Sequence, residues 1–349
     1  MPKTEMRLDP LTRAWTLFSE ARAASPAFGS VLPEGSAAGR DPFARGLERF
    51  APQTLHETGT REGWQVRVVP NRAPVLKIEG DATVHPDGFY DRMEGVGAHE
   101  VVVESPGPEP FEDLALGEIQ KVIRAWKVRM LDLMRDPRLR SLTVVKNVGR
   151  PAGGTVSHAL SQVVAMAIVP PVLKRKLASA RAFYALKKRS IFEDILHEEV
   201  RTAKRLVYEN NGFAAFCPYA ARAPFELAIY PKRQCPDFHG VTDQEVAQLS
   251  DVLRTTLRKL AAALDHAPYN LIVQTAPART PRADHWTTIE RDFRWHIEIV
   301  PRLQPIGGIE LGTGCWVNSV WPEAAAEYLR EVDLPETEAV PGPAKEAKP

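Results

Sequence analysis

Two stretches of the chain carry the same alternation of apolar and polar positions. One begins His99-Glu100-Val101-Val102-Val103-Glu104-Ser105-Pro106, the other Phe225-Glu226-Leu227-Ala228-Ile229-Tyr230-Pro231-Lys232. Each predicts a short strand ended by proline, which cannot donate to a sheet ladder. A loop and a helical pattern follow: Phe111, Leu114, Glu118, Ile119 and Val122 in the first copy, Phe238, Val241, Glu245, Val246 and Leu249 in the second. Counted from each Phe, the offsets are three, seven, eight and eleven in both. Such spacing puts one apolar stripe on a helix laid against a sheet, and Thr242-Asp243 supplies an N-cap for the second helix. Each helix leads to a strand, at 141–146 and 269–274. After an irregular stretch comes a histidine-bearing strand, at 157–162 and 295–300. The pattern therefore predicts an α+β protein of two fused repeats, each an antiparallel sheet with a packed helix.

The remaining segments frame these repeats. Leu8 to Phe18 predicts a hairpin turning at Asp9-Pro10-Leu11-Thr12, and the Gly/Pro/Ala-rich 23–50 predicts a loop. The apolar run from Val163 to Leu173, broken by Pro170 and Pro171, is too short to span a bilayer and reads as a buried strand entering a turn. The charged segment 174–199 has a helical pattern and links the copies. From Pro335 the chain is rich in Pro, Glu, Ala and Lys and reads as a disordered tail. The expected divisions are an N-terminal repeat with its extension at 1–185, a C-terminal repeat at 186–333, and the tail at 334–349.

Composition narrows the function. Lys and Arg total 45 against 44 Asp and Glu, a formal net charge of +1 over 349 residues. That balance gives no electrostatic footprint for nucleic acid or a membrane surface. Cys217, Cys235 and Cys315 are far apart, which suggests neither a disulfide framework nor a thiolate zinc site. With no apolar h-region at the N-terminus, a reducing, cytoplasmic setting fits best.

Candidate chemistry lies in Gly149-Arg150-Pro151-Ala152-Gly153-Gly154-Thr155-Val156-Ser157-His158-Ala159-Leu160-Ser161-Gln162. Small residues let backbone approach a phosphate, and free N–H groups in such a loop form an anion nest. On the strand beyond it, His158, Leu160 and Gln162 would share one face, Ala159 and Ser161 the other. A tight turn with a merely packed histidine has the same pattern. Trp295-His296-Ile297-Glu298 reads as a packed strand, with Glu298 paired to Arg294 or Arg302.

The segment from Lys146-Asn147 through Gln162 resembles the active-site segment of galactose-1-phosphate uridylyltransferases, roughly K-N-x-G-x-x-A-G-A-S-x-x-H-x-H-x-Q. Asp9-Pro10-Leu11-Thr12 with Trp15, Val68-Val69-Pro70-Asn71-Arg72, Gly97-Ala98-His99-Glu100-Val101, Trp295-His296-Ile297-Glu298-Ile299 and Glu310-Leu311-Gly312-Thr313-Gly314 resemble further family motifs in the same order. The resemblance runs from about Leu8 to Arg330. It implies two histidine-triad-type repeats, a homodimer, and a nucleotide or nucleoside-diphosphate sugar as ligand; the charge balance already argues for no nucleic-acid or membrane partner. It also implies that Asn71, Arg72, Asn147, Gly153, Gly154, Ser161 and Gln162 line the nucleotide pocket, with Gln162 donating to a phosphoryl oxygen.

The departures from the family matter as much. Its nucleophile, the second histidine of H-x-H-x-Q, is Leu160 here, and leucine has no lone pair for nucleophilic catalysis. His158 matches the first histidine, roughly 6.5–7 Å away along a strand. Of the zinc set only His99 and His158 match, because the family's C-P-F-C appears as Asp41-Pro42-Phe43-Ala44. Its second cysteine pair appears as Ser190-Ile191-Phe192-Glu193, and Arg294 replaces a histidine. The expectation is therefore no cofactor, zinc having been lost, and no catalytic residue beyond the retained His158 and Gln162. Three activities stay open: ligand binding without covalent transfer, direct transfer or phosphorolysis on a sugar nucleotide, and uridylyl transfer through His158 or His296. A non-catalytic, partner-binding protein is the alternative to all three.

Overall fold

The duplicated pattern folds into two matching sets of elements on one sheet. The computed structural model describes every residue except 1, 12, 24–42, 44–45, 47, 61–62, 157, 280–286 and 335–349. Thr12 of the first turn, most of the 23–50 loop, Asp41, Pro42, Ala44, Ser157 and the tail from Pro335 lie outside the described residues.

The chain opens with β1 (Thr4–Leu8), β2 (Trp15–Ser19) and the single-turn α1 (Glu20–Ala23). The first repeat contains β3 (His56–Thr60), β4 (Gly63–Pro70), β5 (His85–Asp87), β6 (Tyr90–Glu94), β7 (Gly97–Val103), α2 (Leu116–Leu133), β8 (Ser141–Val148) and β9 (Leu160–Met166). The connection is two helices, α3 (Pro171–Lys187) and α4 (Ile191–Thr202), so residues 185 and 186 fall inside α3. The second repeat contains β10 (Leu206–Glu209), β11 (Phe213–Phe216), β12 (Leu227–Pro231), α5 (Asp243–Ala263), β13 (Tyr269–Gln274), the short α6 (Ile289–Asp292) and β14 (His296–Pro301). Helices α7 (Gly308–Thr313) and α8 (Pro322–Glu331) follow.

Ten strands form one antiparallel sheet in the order β10-β11-β12-β14-β13-β8-β9-β7-β4-β3. The repeats join at the seam between β13 and β8, where Asn270 faces Asn147 and Ile272 faces Val145. Strand order runs outward from this seam in the same way on both sides. The 127-residue spacing that separates Phe111 from Phe238 also separates Val145 from Ile272. Register then fixes the remaining equivalences. Val145 pairs with Gln162, which pairs with Val101; Ile272 pairs with Glu298, which pairs with Ala228. Gln162 thus corresponds to Glu298, Leu160 to His296, and His99 to Glu226.

Helices α2 and α5 cover one sheet face, and their predicted stripes are buried there. Phe111 and Phe238 each begin a one-turn 3-10 helix just ahead of the main helix. The glutamate at offset seven caps in both copies. Glu118 Oε2 accepts from Ala115 N and Glu245 Oε2 from Thr242 N, each at 2.8 Å, while Thr242 Oγ1 accepts from Glu245 N. The fully buried Trp126 ring packs 6.3 Å from Phe111 and 6.2 Å from Phe238, binding the two repeats through aromatic surface. On the opposite face, α3 and α4 cover the second repeat. A small sheet of order β2-β1-β6-β5 covers the first, seating Met6 and Met93 near Leu76 and Val164. Among the described residues no helix is long and apolar enough to cross a membrane.

Candidate functional site

Strand β9 divides its residues between the two faces. Val163 and Ala165 join the core under α2, and Ser161 is fully buried with its Oγ accepting from Trp126 Nε1 at 2.7 Å. Ser161 therefore faces the helices and does not line the opposite face with Gln162, as the resemblance implied. Leu160 and Gln162 are half-buried on that opposite face. His158 departs from expectation too. The strand begins at Leu160, so His158 lies before it, buried, its Nε2 donating to Ser105 O at 2.7 Å.

Gln162 is oriented by its neighbour on β7. Val75 N donates to His99 Nδ1 at 3.2 Å, which places the ring proton on Nε2. Nε2 then donates to Gln162 Oε1 at 2.6 Å and lies 3.0 Å from Asn71 Nδ2. Burial holds the His99 imidazole below its ordinary pKa, so the ring stays neutral. With its oxygen engaged, Gln162 presents its NH2 as a donor. Arg72, next to Asn71, is exposed.

The glycine loop differs from the nest expected of it. The N–H groups of Ala152, Gly153 and Gly154 donate to Gly149 O, Arg150 O and Gly149 O, so they are spent inside a tight turn. The glycines serve the backbone. Gly153 has φ +86°, and a Cβ on Gly154 would stand 2.9 Å from both Asn147 O and Gly149 O. Asn270, which sequence reasoning did not single out, ties this loop to the seam. Its Nδ2 donates to Asn147 Oδ1 and to Ala152 O, both at 2.8 Å.

The histidines left at the family's first metal position are engaged elsewhere. Both nitrogens of His99 and Nε2 of His158 are taken by protein groups, and among the described residues no three His, Cys, Asp or Glu side chains cluster as metal ligands. At the second set, the buried Arg294 guanidinium donates to Pro231 O, Lys232 O and Gln234 Oε1, putting a fixed positive charge at that position.

In the second repeat His296 is buried, Nδ1 donating to Arg294 O at 3.0 Å and Nε2 accepting from Lys176 Nζ at 2.7 Å. Burial and the Lys176 charge lower its pKa. Glu298 pairs with Lys176 and with Arg222 (2.9 Å), not with Arg294 or Arg302. Burial alone would raise the Glu298 carboxyl, but the Lys176 and Arg222 charges outweigh it and hold the group well below the usual carboxylate range.

A cavity of about 320 Å³ opens over the seam. Val145, Asn147, Asn270, Ile272 and Val300 form its sheet side, and Arg222, Arg302, Glu310 and Trp316 stand among its other lining residues. Register places Gln162 directly beside Val145, and Leu160 precedes Gln162 by two residues on the same strand, pairing with Val103 of β7. Of the residues expected to bind, the structure thus gathers Asn147 and Gln162 at the seam, adds Asn71 through His99, and uses Gly153 and Gly154 as turn residues.

Residues 200–286 match the HIT domain family. The chain is 32% identical over 337 residues to ADP-glucose phosphorylase of Arabidopsis thaliana, covering 95% of this chain and 93% of that protein. It is 27% identical over 339 residues to galactose-1-phosphate uridylyltransferase of Thermotoga maritima, covering 95% and 99%. The crystal structure of an Arabidopsis thaliana ADP-glucose phosphorylase with bound ADP-glucose superimposes with a TM-score of 0.75 at 29% identity, covering 96% of this chain and all of that one.

Proposed function

Because the chain belongs to the galactose-1-phosphate uridylyltransferase-like family of the histidine-triad superfamily, we propose that it binds a nucleotide or nucleoside-diphosphate sugar at the seam without forming a nucleotidyl-histidine. One observation supports this reading: Leu160, which the resemblance puts at the nucleophile's position, precedes by two residues on β9 the Gln162 that pairs with the cavity-lining Val145. The Gln162 NH2, set by His99, donates to a phosphoryl oxygen, with Asn71, Arg72 and Asn147 around it and Gly153 and Gly154 shaping the adjoining turn. Neither other imidazole replaces the lost one. His158 Nε2 is taken by Ser105 O, and the His296 lone pair is occupied by Lys176. The ADP-glucose in the similar Arabidopsis structure supports a sugar nucleotide as ligand. A cytoplasmic location, a homodimer and the repeat boundary near residue 185 belong to the same reading and rest on the resemblance.

The open cavity over Val145 and Asn147 also supports a second reading, direct transfer. An acceptor phosphate oxygen attacks the α-phosphorus, the bond from that phosphorus to the bridging oxygen breaks, and sugar 1-phosphate leaves with the electron pair. Positioning and the Gln162 donor would supply the catalysis.

Thermal shift with UDP-glucose, ADP-glucose, UMP and AMP tests the pocket. At least one should raise the melting temperature, and Gln162→Ala should abolish the shift; no shift with any of them overturns the assignment. Leu160→His should then acquire a covalent nucleotide adduct visible by mass spectrometry. An adduct on the unmodified protein would refute the loss of covalent chemistry, and turnover without adduct would establish direct transfer.

A further inference from the structure

The net charge of +1 hides an uneven distribution. Residues 137–192 contain eleven Lys and Arg and no Asp or Glu. Seven of the eleven lie between Lys174 and Arg189, on α3 and just past its end. One face of α3 is fixed to the protein, with Leu173, Leu177 and Ala180 buried in one cluster with Phe192 and Phe293. The other face is open. Lys174, Ala178, Arg181, Ala185 and Lys188 are all exposed and follow one another at four, three, four and three residues, which lines them up along a helix. A second exposed line with the same spacing runs beside it: Arg175, Ser179, Ala182, Leu186 and Arg189. The first line alternates cation and alanine over about 21 Å of helix.

A solvated surface helix commonly sets carboxylates one turn from its cations, as Glu198 stands 2.7 Å from Arg201 on α4. Helix α3 has no such carboxylate. Lys176 turns inward to Glu298 and His296, and Arg189 pairs with Asp194 at 2.8 Å. Among the described residues no carboxylate pairs with Lys174, Arg175, Lys187 or Lys188. On the neighbouring α4 and α6, Glu198, Glu199 and Glu290 are held by Arg201, Arg205 and Arg279. The position of the cations is informative too. Lys174 closes a first turn that has no acidic residue, and Arg175 opens the next. Both stand at the end of the helix whose dipole disfavours positive charge, so helix stability does not account for them.

We propose that the exposed face of α3 is a docking surface for an acidic α-helix of a partner protein. Cations seven residues apart match carboxylates at the same spacing on a facing helix, and the alanines between them leave room for its larger apolar side chains. Leu186, 76% exposed, supplies an apolar contact from this side. The chemistry of the face disfavours other polyanions. Residues 171–189 contain no Asn or Gln to read base edges, and the half-buried Tyr184 ring is covered by the Arg291 guanidinium at 5.4 Å. Val172 and Leu186 are the large apolar residues that α3 exposes, too few to enter a bilayer. Two copies of the chain meeting through α3 would oppose cation to cation. The surface is independent of the nucleotide reading of the seam.

Calorimetric titration of the full chain tests this with a designed helical peptide of about four turns, carrying Glu at heptad spacing with Leu between. The comparison probes are the same peptide with Gln for Glu, unstructured polyglutamate, duplex DNA and phosphatidylserine vesicles. The acidic peptide should bind at physiological salt, and more tightly than any other probe. Lys174→Glu should weaken it at least fivefold, while glutamate in the first turn suits the helix itself. Lys187→Glu makes the same charge change off the exposed lines, seven residues beyond the buried Ala180, and should alter affinity less than twofold. Ala178→Gln, which fills the gap between Lys174 and Arg181, should weaken the peptide and leave polyglutamate binding unchanged. Circular dichroism melts should show all three variants folded. The proposal is overturned if the acidic peptide does not bind, if Lys174→Glu and Lys187→Glu act alike, or if polyglutamate, DNA or vesicles bind as tightly; the last two would mark a nucleic-acid or lipid surface. Self-association of the free chain that Lys174→Glu removes would assign the face to a second copy and overturn it likewise.

Discussion

Asn270→Ala removes the amide that joins the two repeats to the glycine loop. The wild-type NH2 makes two hydrogen bonds of 2.8 Å, to Asn147 Oδ1 and to the carbonyl of Ala152. Each such bond contributes about 1 kcal/mol net, and a buried acceptor left without a donor costs about 1–3 kcal/mol. Ala152 is buried, whereas Asn147 borders the cavity, where water can replace the lost donor. The expected destabilisation is therefore about 2–4 kcal/mol. Unfolding entropy of about 2.1 cal/mol/K per residue makes each kcal/mol worth about 1.5 °C in a chain of this length, so the melting temperature should fall by about 3–6 °C. The loss should be local as well as global. The amides of Ala152, Gly153 and Gly154, which bond to Gly149 and Arg150 carbonyls, should exchange faster with deuterium. Circular dichroism melts and peptide-resolved exchange measure both. A variant that melts within about 1 °C of wild type with unchanged exchange would show that the loop holds itself, and would remove Asn270 from the account of the site.

Ser161→Ala should cost about 1–3 kcal/mol by leaving the Trp126 indole N–H buried without its acceptor. It should leave nucleotide affinity unchanged in thermal shift, because Ser161 faces the helices. Burial raises the Glu112 carboxyl, so the native state holds its proton above the ordinary carboxylate pKa. Stability from this group is full below about pH 4.5 and is lost as pH rises through the elevated value. Glu112→Gln should therefore melt progressively higher than wild type as pH rises from 4 to 8, and a pH-independent difference would contradict this. Lys176→Met leaves Glu298 with Arg222 as its remaining cation and should cost about 1–3 kcal/mol at neutral pH. The Glu298 carboxyl is held low, so its ion-pair contribution is present above about pH 4.5 and fades below it. Acid melts should show the two proteins converging.

The repeat was legible because each position in it answers to a local rule. Phe111, Leu114, Ile119 and Val122 recur as Phe238, Val241, Val246 and Leu249 since both helices bury the same stripe. The glutamates recur because both helices start with the same cap. What stayed hidden depends on distant contacts. Asn270 meets Asn147 across 123 residues, and Lys176 meets Glu298 across 122. Neither pairing leaves a periodic trace. The three-residue β5 is exposed throughout, so no apolar alternation announced it. Strand parity carried the strand back through His158, whereas β9 begins at Leu160 and His158 is held instead by Ser105 O, because nothing in the sequence marks Leu160 as the first residue of the strand. The anion nest failed for a related reason: a Gly-rich stretch specifies a tight turn, while the direction of its N–H groups depends on which carbonyls the turn brings near.

The pseudo-symmetry of the sheet bears on where chemistry could be restored. His296 occupies, in the second repeat, the position that Leu160 occupies in the first. The imidazole thus survives in the half that α3 and α4 cover, packed 5.4 Å from the Phe192 ring and 6.2 Å from Phe293, with its lone pair bound to Lys176. The first repeat keeps the face that borders the cavity and lacks the nucleophile. A covalent step requires a lone pair aimed at the α-phosphorus, which only the first position combines with the Gln162 donor. Nucleotide attached to Leu160→His should therefore map to residue 160 in digested protein. Lys176→Met, which frees the His296 nitrogen but leaves it behind two aromatic rings, should give no adduct. Label on His296 in either variant would mean that the second half-site is open to ligand, contrary to the packing of α3 and α4 over it.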